Sequence, residues 1–143
     1  MLLVNDLMTA VPDTVTPDAS LRSVIGIMKS GSYRQIPVLD EGKLVGIITD
    51  RDVRLAMQSP FTEQGHSPEE QPLSNVTARS CMTPHPITVS PDTPAYKAAE
   101  MLSMYKIGAL PVVENDTLVG IITVTDFLDY FSQRQSEPLL ERK

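Results

Sequence analysis

The hexapeptide Leu44-Val45-Gly46-Ile47-Ile48-Thr49 recurs without change as Leu118-Val119-Gly120-Ile121-Ile122-Thr123, 74 residues further along the chain. The same offset relates Pro37-Val38 to Pro111-Val112, Pro17-Asp18 to Pro91-Asp92, Met8-Thr9 to Met82-Thr83, and Asp52 to Asp126. Held in register from Val4 to Gln58, the alignment gives 16 identities in 55 positions and needs no gap. One supersecondary unit is therefore used twice. A unit of ~55 residues buries only a marginal core, so two units packed as a pseudo-two-fold pair are expected from a chain of 143 residues.

Each unit reads as strand, helix, strand, strand, helix, an α+β arrangement. Thr14-Val15-Thr16 is a short β-branched run stopped by Pro17. Ser20 to Lys29 places Leu21, Val24, Ile25 and Met28 on one helical stripe, which Ala95, Ala98, Ala99 and Leu102 repeat. Ile36-Pro37-Val38-Leu39 and Leu44 to Ile48 form a hairpin around Asp40-Glu41-Gly42-Lys43, with Glu114-Asn115-Asp116-Thr117 as the second copy of the turn. A second helix follows Thr49 and Thr123. The expected organisation is residues 1–58 as the first repeat, 59–77 as a polar, proline-containing connector, 78–132 as the second repeat and 133–143 as a tail.

Composition limits the functional classes. With no Trp and 5% aromatics the core must be aliphatic. A net charge of −6 argues against a nucleic-acid partner, which needs a basic face to release counterions. Cys81 stands alone and aligns with Leu7, so it is expected to be buried and inert; His66 in the connector and His85 between two prolines make no metal cluster. No apolar run reaches the ~18 residues of a membrane span, and Met1 to Met8 lacks the basic lead of a signal peptide. The expected compartment is the cytoplasm.

The richest local pattern is Thr49-Asp50-Arg51-Asp52, repeated as Thr123-Val124-Thr125-Asp126. Thr followed three residues later by Asp forms a capping box, which stabilises a helix start and requires no ligand. The functional alternative is that the strand-end glycines Gly46 and Gly120 let a ligand approach the backbone and free helix-start amides favour an anion. Asp52 or Asp126 would then accept from the vicinal hydroxyls of a ribose. No Ser/His/Asp set, Walker loop or catalytic carboxylate pair is present.

Taken together, the Met-Thr lead, the Val-Thr/Ser-Pro-Asp segment, the strand Arg34-Gln35-Ile36-Pro37-Val38, the Leu-Val-Gly-Ile-Ile-Thr strand and Thr-x-x-Asp, all doubled, resemble a tandem pair of cystathionine-β-synthase (CBS) domains. The resemblance implies two β-α-β-β-α repeats in a Bateman module, without catalysis, that binds AMP, ADP or ATP in clefts between the repeats. NAD and S-adenosylmethionine are the alternative adenosyl ligands. It further implies one cleft with Thr49, Arg51 and Asp52 beside Ile87, Ile107 and Gly108, and another with Thr123, Thr125 and Asp126 beside Asp13, Tyr33 and Arg34. By the same resemblance the module forms a homodimer, with Phe127, Tyr130 and Phe131 as contact surface, and regulates an unidentified partner protein. Energy sensing would be its role, and it would need no cofactor.

The charges are divided unevenly. Val4 to Gln58 carries six Lys/Arg against seven Asp/Glu, whereas Ala78 to Ser132 carries three against six. Arg34 and Arg51 are the candidate phosphate cations, since a guanidinium fork matches phosphate geometry. The competing reading from another class is an assembly scaffold whose Thr-x-x-Asp motifs only cap helices.

Overall fold

Leu21–Gly31 is helical because Ser20 caps its start, accepting the Ser23 N–H at 3.0 Å. Leu21, Val24 and Met28 are buried and Ile25 packs partly beside them, as the stripe predicts. Each such side chain contributes about 1.5–3 kcal/mol when fully removed from water. The structure is a computed structural model that describes residues 1–58 and 75–135. In chain order its elements are α1 (Val4–Leu7), β1 (Thr9–Ala10), α2 (Leu21–Gly31), β2 (Gln35–Asp40), β3 (Lys43–Thr49) and α3 (Asp50–Met57). Then come α4 (Ala78–Cys81), β4 (Thr83–Pro84), α5 (Ala95–Tyr105), β5 (Ala109–Glu114), β6 (Thr117–Thr123) and α6 (Val124–Gln135). The body of each repeat is the expected α+β unit.

Both hairpins turn in two residues. Ile36 pairs with Ile48 and Asp40 with Lys43, leaving Glu41 (φ 50°) and Gly42 (φ 82°) at the corner; Asn115 (φ 53°) and Asp116 (φ 63°) take the same places between β5 and β6. Two consecutive positive φ values define the turn whose twist matches that of the flanking strands. Asn and Gly tolerate this conformation; Glu41 adopts it at a cost.

The chain divides into two compact units whose limits differ from those of the contiguous repeats. One comprises Met1–Val11 with Ile87–Lys143, the other Pro12–Pro86. The cuts fall at Val11/Pro12 and Pro86/Ile87, within one residue of equivalent positions of the 74-residue repeat. Each unit is thus closed by the arm that leads into the other repeat. In the Pro12–Pro86 unit the sheet order is β2-β3-β4, with Gly46 opposite Pro84 and Ile47 opposite Thr83. In the other the order is β1-β6-β5, with Thr9 opposite Ile121 and Ala10 opposite Gly120. The arms are docked alike: the Ala78 N–H donates to the Ala19 carbonyl at 2.7 Å and the Val4 N–H to the Thr93 carbonyl at 2.8 Å. Ala78 and Val4 are both fully buried.

The cores are aliphatic. One is built on Leu21, Val24, Ile36, Val38 and Ile48, the other on Val4, Ala98, Leu110, Val112 and Ile122. The strand expected over Thr14-Val15-Thr16 contracts to a single parallel bridge between Val15 and Val38. Val15 donates to the Pro37 carbonyl and accepts from Leu39, and the prolines at 12 and 17 leave no length for more. Val89 repeats this against Val112. Most of the connector, 59–74, and the tail from 136 lie outside the described residues. Among the described residues no helix is long and apolar enough to cross a membrane.

Candidate functional site

The Thr-x-x-Asp motifs stand where the last strand of each hairpin becomes a helix. The Thr49 N–H donates to Asp52 Oδ2 at 2.9 Å, and the Asp52 N–H donates to Thr49 Oγ1 at 3.1 Å. Thr123 and Asp126 repeat both bonds at 2.9 and 3.1 Å. These are complete capping boxes, so the helix-start role is present in both copies. The first helical amides are also occupied, since Asp50 N–H donates to the Arg34 carbonyl at 2.9 Å and Val124 N–H to the Gly108 carbonyl at 3.0 Å. These bonds tie the start of β2 to α3 and the start of β5 to α6. Two of the first three amides of each helix therefore have protein partners, which corrects the expectation of free amides for an anion.

The glycine expectation is corrected as well. A Cβ on Gly46 would run into the Met82 thioether, approaching its Cγ to 2.9 Å and the Thr83 carbonyl oxygen to 3.1 Å. On Gly120 it would lie 2.6 Å from Met8 Sδ and 3.0 Å from the Thr9 carbonyl oxygen. The space a side chain would need is filled by the arm, and the glycines admit that strand. Gly46→Ala is accordingly expected to destabilise the protein by about 1–3 kcal/mol. Urea denaturation checks this, and Met82→Ala in the same chain should recover part of the loss.

Beyond the capping box, each Asp meets an arm threonine. Thr83 Oγ1 donates at 3.4 Å to both Asp52 oxygens, and Thr9 Oγ1 donates at 3.5 Å to Asp126 Oδ1. Burial pushes the Asp126 carboxyl above its ordinary value, against the lowering effect of its bonds from Thr123 and Thr9. The residues missed in the sequence are therefore Met8, Thr9, Met82 and Thr83. Their signal was the repeated Met-Thr pair, which identity alone gave no role.

The remaining candidates fall into two groups. Asp13, Tyr33, Arg34, Thr49, Arg51 and Asp52 share the Pro12–Pro86 unit; Ile87, Ile107, Gly108, Thr123, Thr125 and Asp126 share the other. The neighbouring Asp13 carboxylate, by hydrogen bonding and then by its charge, raises the Tyr33 phenol above its ordinary value. Both residues line an open hollow of about 610 Å³ with Ser23, Gly26, Ile27, Ser30 and Gly31. Arg34 and Arg51 are exposed, and among the described residues neither enters an ion pair. Cys81 is half-buried rather than fully buried, and desolvation raises its thiol, which disfavours the reactive thiolate.

The CBS domain profile matches residues 4–59 and again 78–133. The chain belongs to the CBS-domain family. A CBS domain-containing protein of Dictyostelium discoideum is 34% identical over 130 residues, covering 90% of each chain. The CBS-pair protein CBSX2 of Arabidopsis thaliana, crystallised in complex with AMP, is 28% identical with a TM-score of 0.75 over 93% of this chain and 98% of its own. The CBS domain pair of protein MJ0100, crystallised with 5′-methylthioadenosine and S-adenosyl-L-methionine, is 28% identical with a TM-score of 0.77, over 94% and 98%. As a CBS pair, the chain has the mixed helix and strand fold of these proteins, with a three-stranded sheet in each of its two units.

Proposed function

We propose that this CBS pair is a non-catalytic regulatory module that binds an adenine nucleotide, AMP, ADP or ATP, with NAD or S-adenosylmethionine as the alternative adenosyl ligands. Asp52 and Asp126 would accept the ribose hydroxyls beside Thr49 and Thr123. Arg34 and Arg51 would face phosphate, and Arg51 stands where the second repeat has Thr125. Asp13, Tyr33, Ile87, Ile107 and Gly108 would complete the adenine surroundings.

The observation that carries this reading is the state of the two carboxylates. Each gives one oxygen to its capping amide at 2.9 Å, while the arm hydroxyl stands off at 3.4 or 3.5 Å. A charge-assisted O–H···O bond closes to about 2.5–2.7 Å, so both carboxylates keep capacity for a better donor. The adenosine moiety common to the ligands of the two relatives supplies such donors. Occupancy would be relayed by differential affinity for two states, in a cytoplasmic homodimer acting on a partner protein. The exposed apolar side chains of Val124, Leu128 and Phe131 at i, i+4 and i+7 on α6 support an interaction face.

A thermal-shift series with AMP, ADP, ATP, NAD and S-adenosylmethionine tests the reading. At 100 times Kd a ligand adds ~2.7 kcal/mol, which raises Tm by roughly 5–10 °C for a chain of this size. No shift with any of the five would leave the motifs as helix caps of an assembly module.

A further inference from the structure

We propose that the arm threonines compete with the ligand for the same carboxylate edge, so that occupancy of Asp52 or Asp126 loosens an arm strand; this rests on the ribose reading of those two residues. The capping amide binds Oδ2 in both motifs. The edge left over faces Thr83 in one unit and Thr9 in the other, in donors that arrive from 31 and 117 residues away. Their bonds are longer than the 2.5–3.0 Å of a well-formed O–H···O bond, so a ribose hydroxyl that closes fully onto the oxygen displaces them.

The arms are built to respond. β1 and β4 are two residues long, each with only two register pairs to its sheet. Beyond the ladder, the arm strand is held by the Met82 or Met8 thioether over a glycine and by one further backbone bond, His85 N–H to the Val45 carbonyl at 3.3 Å or Val11 N–H to the Val119 carbonyl at 3.2 Å. Those last two residues sit at φ 50° and 48°, a conformation that L side chains adopt at a cost. Loss of the threonine tether therefore acts on the two-residue strand alone, while the buried Ala78 or Val4 keeps the rest of the arm docked. The arm ending at Pro86 continues into Ile87 and so into the chain of the other unit, which gives ligand at Asp52 a covalent route to the second repeat. Thr83 bridges both carboxylate oxygens whereas Thr9 reaches one, so the effect is larger at Asp52.

The test uses the full chain with AMP and with S-adenosylmethionine, comparing wild type, Thr83→Val and Thr83→Ser by calorimetric titration and by exchange of the His85 amide. Valine keeps the branched shape and removes the hydroxyl; serine keeps the hydroxyl. The expected result is ligand binding tightened about threefold or more in Thr83→Val and unchanged in Thr83→Ser. The His85 amide should exchange several-fold faster when ligand binds wild type, and be fast with or without ligand in Thr83→Val. Binding to wild type that Thr83→Val leaves unchanged or weakens, with His85 exchange insensitive to ligand, would overturn the competition and leave the ribose reading intact. Binding of neither probe to wild type would overturn both.

Discussion

A fragment of residues 12–86 is expected to fold cooperatively, whereas residues 1–58, the whole first repeat as the sequence delimits it, are expected not to. The first fragment contains every segment of one compact unit. The second lacks β4, so β3 loses its outer partner. It also lacks the segment whose Val76 carbonyl accepts the Leu21 N–H at 2.7 Å, and whose Ala78 and Arg79 amides bond to Ala19 and Pro17 at 2.7 and 2.9 Å. With the arm go Ala78 from the core and the packing of Val76, Cys81 and Met82 against it. Removing that apolar surface costs about 3–5 kcal/mol by area, a large part of the roughly 5–15 kcal/mol that stabilises an ordinary domain. The fragment would also carry its own arm, residues 1–11, with no sheet to join. Circular dichroism through a urea titration distinguishes the two: a sigmoidal transition for 12–86 and a sloping one for 1–58. Equal cooperativity in both fragments would show that the arm is dispensable.

Asp52→Ala and Asp126→Ala should each weaken adenosyl-ligand binding at their own site by tenfold or more. A hydrogen bond to a charged group is worth roughly 1.5–3 kcal/mol, and each carboxylate is assigned two hydroxyls. Both substitutions also remove half of a capping box, which costs about 0.5–2 kcal/mol of stability. The two effects separate cleanly. Calorimetric titration at a temperature well below the lowered Tm reads affinity and stoichiometry, and thermal unfolding without ligand reads the cap. Full stoichiometry and unchanged affinity in both variants, with only the unfolding temperature reduced, would assign Asp52 and Asp126 to helix capping alone. In the Thr-x-x-Asp geometry the capping amide takes Oδ2 and leaves Oδ1 with only a long threonine bond, so the proposed ligand role is compatible with the cap.

Much of this was legible in the sequence because it is local. The Leu21, Val24, Met28 stripe, the Glu41-Gly42 corner and the Thr49/Asp52 box are each set by residues within about seven positions of one another. The arms were not legible. Thr9-Ala10 and Thr83-Pro84 are too short to show a period of two, and their partners lie far along the chain. The role of Gly46 was not legible for the same reason. A glycine at a strand end signals a close approach, but the sequence does not say whether a ligand or a Met thioether makes it.

By itself the sequence determined the duplication, the hairpins and the capped helix starts, because backbone torsions and contacts three or four residues apart respond to residue type directly. The tertiary structure alone decided which arm closes which sheet, and therefore what occupies the second edge of Asp52 and Asp126. A two-residue strand offers only generic backbone donors and acceptors, so its partner is selected by what can be buried beside it: Ala78 and Val4 in the two cores, and the Met82 and Met8 side chains over glycines that leave them room.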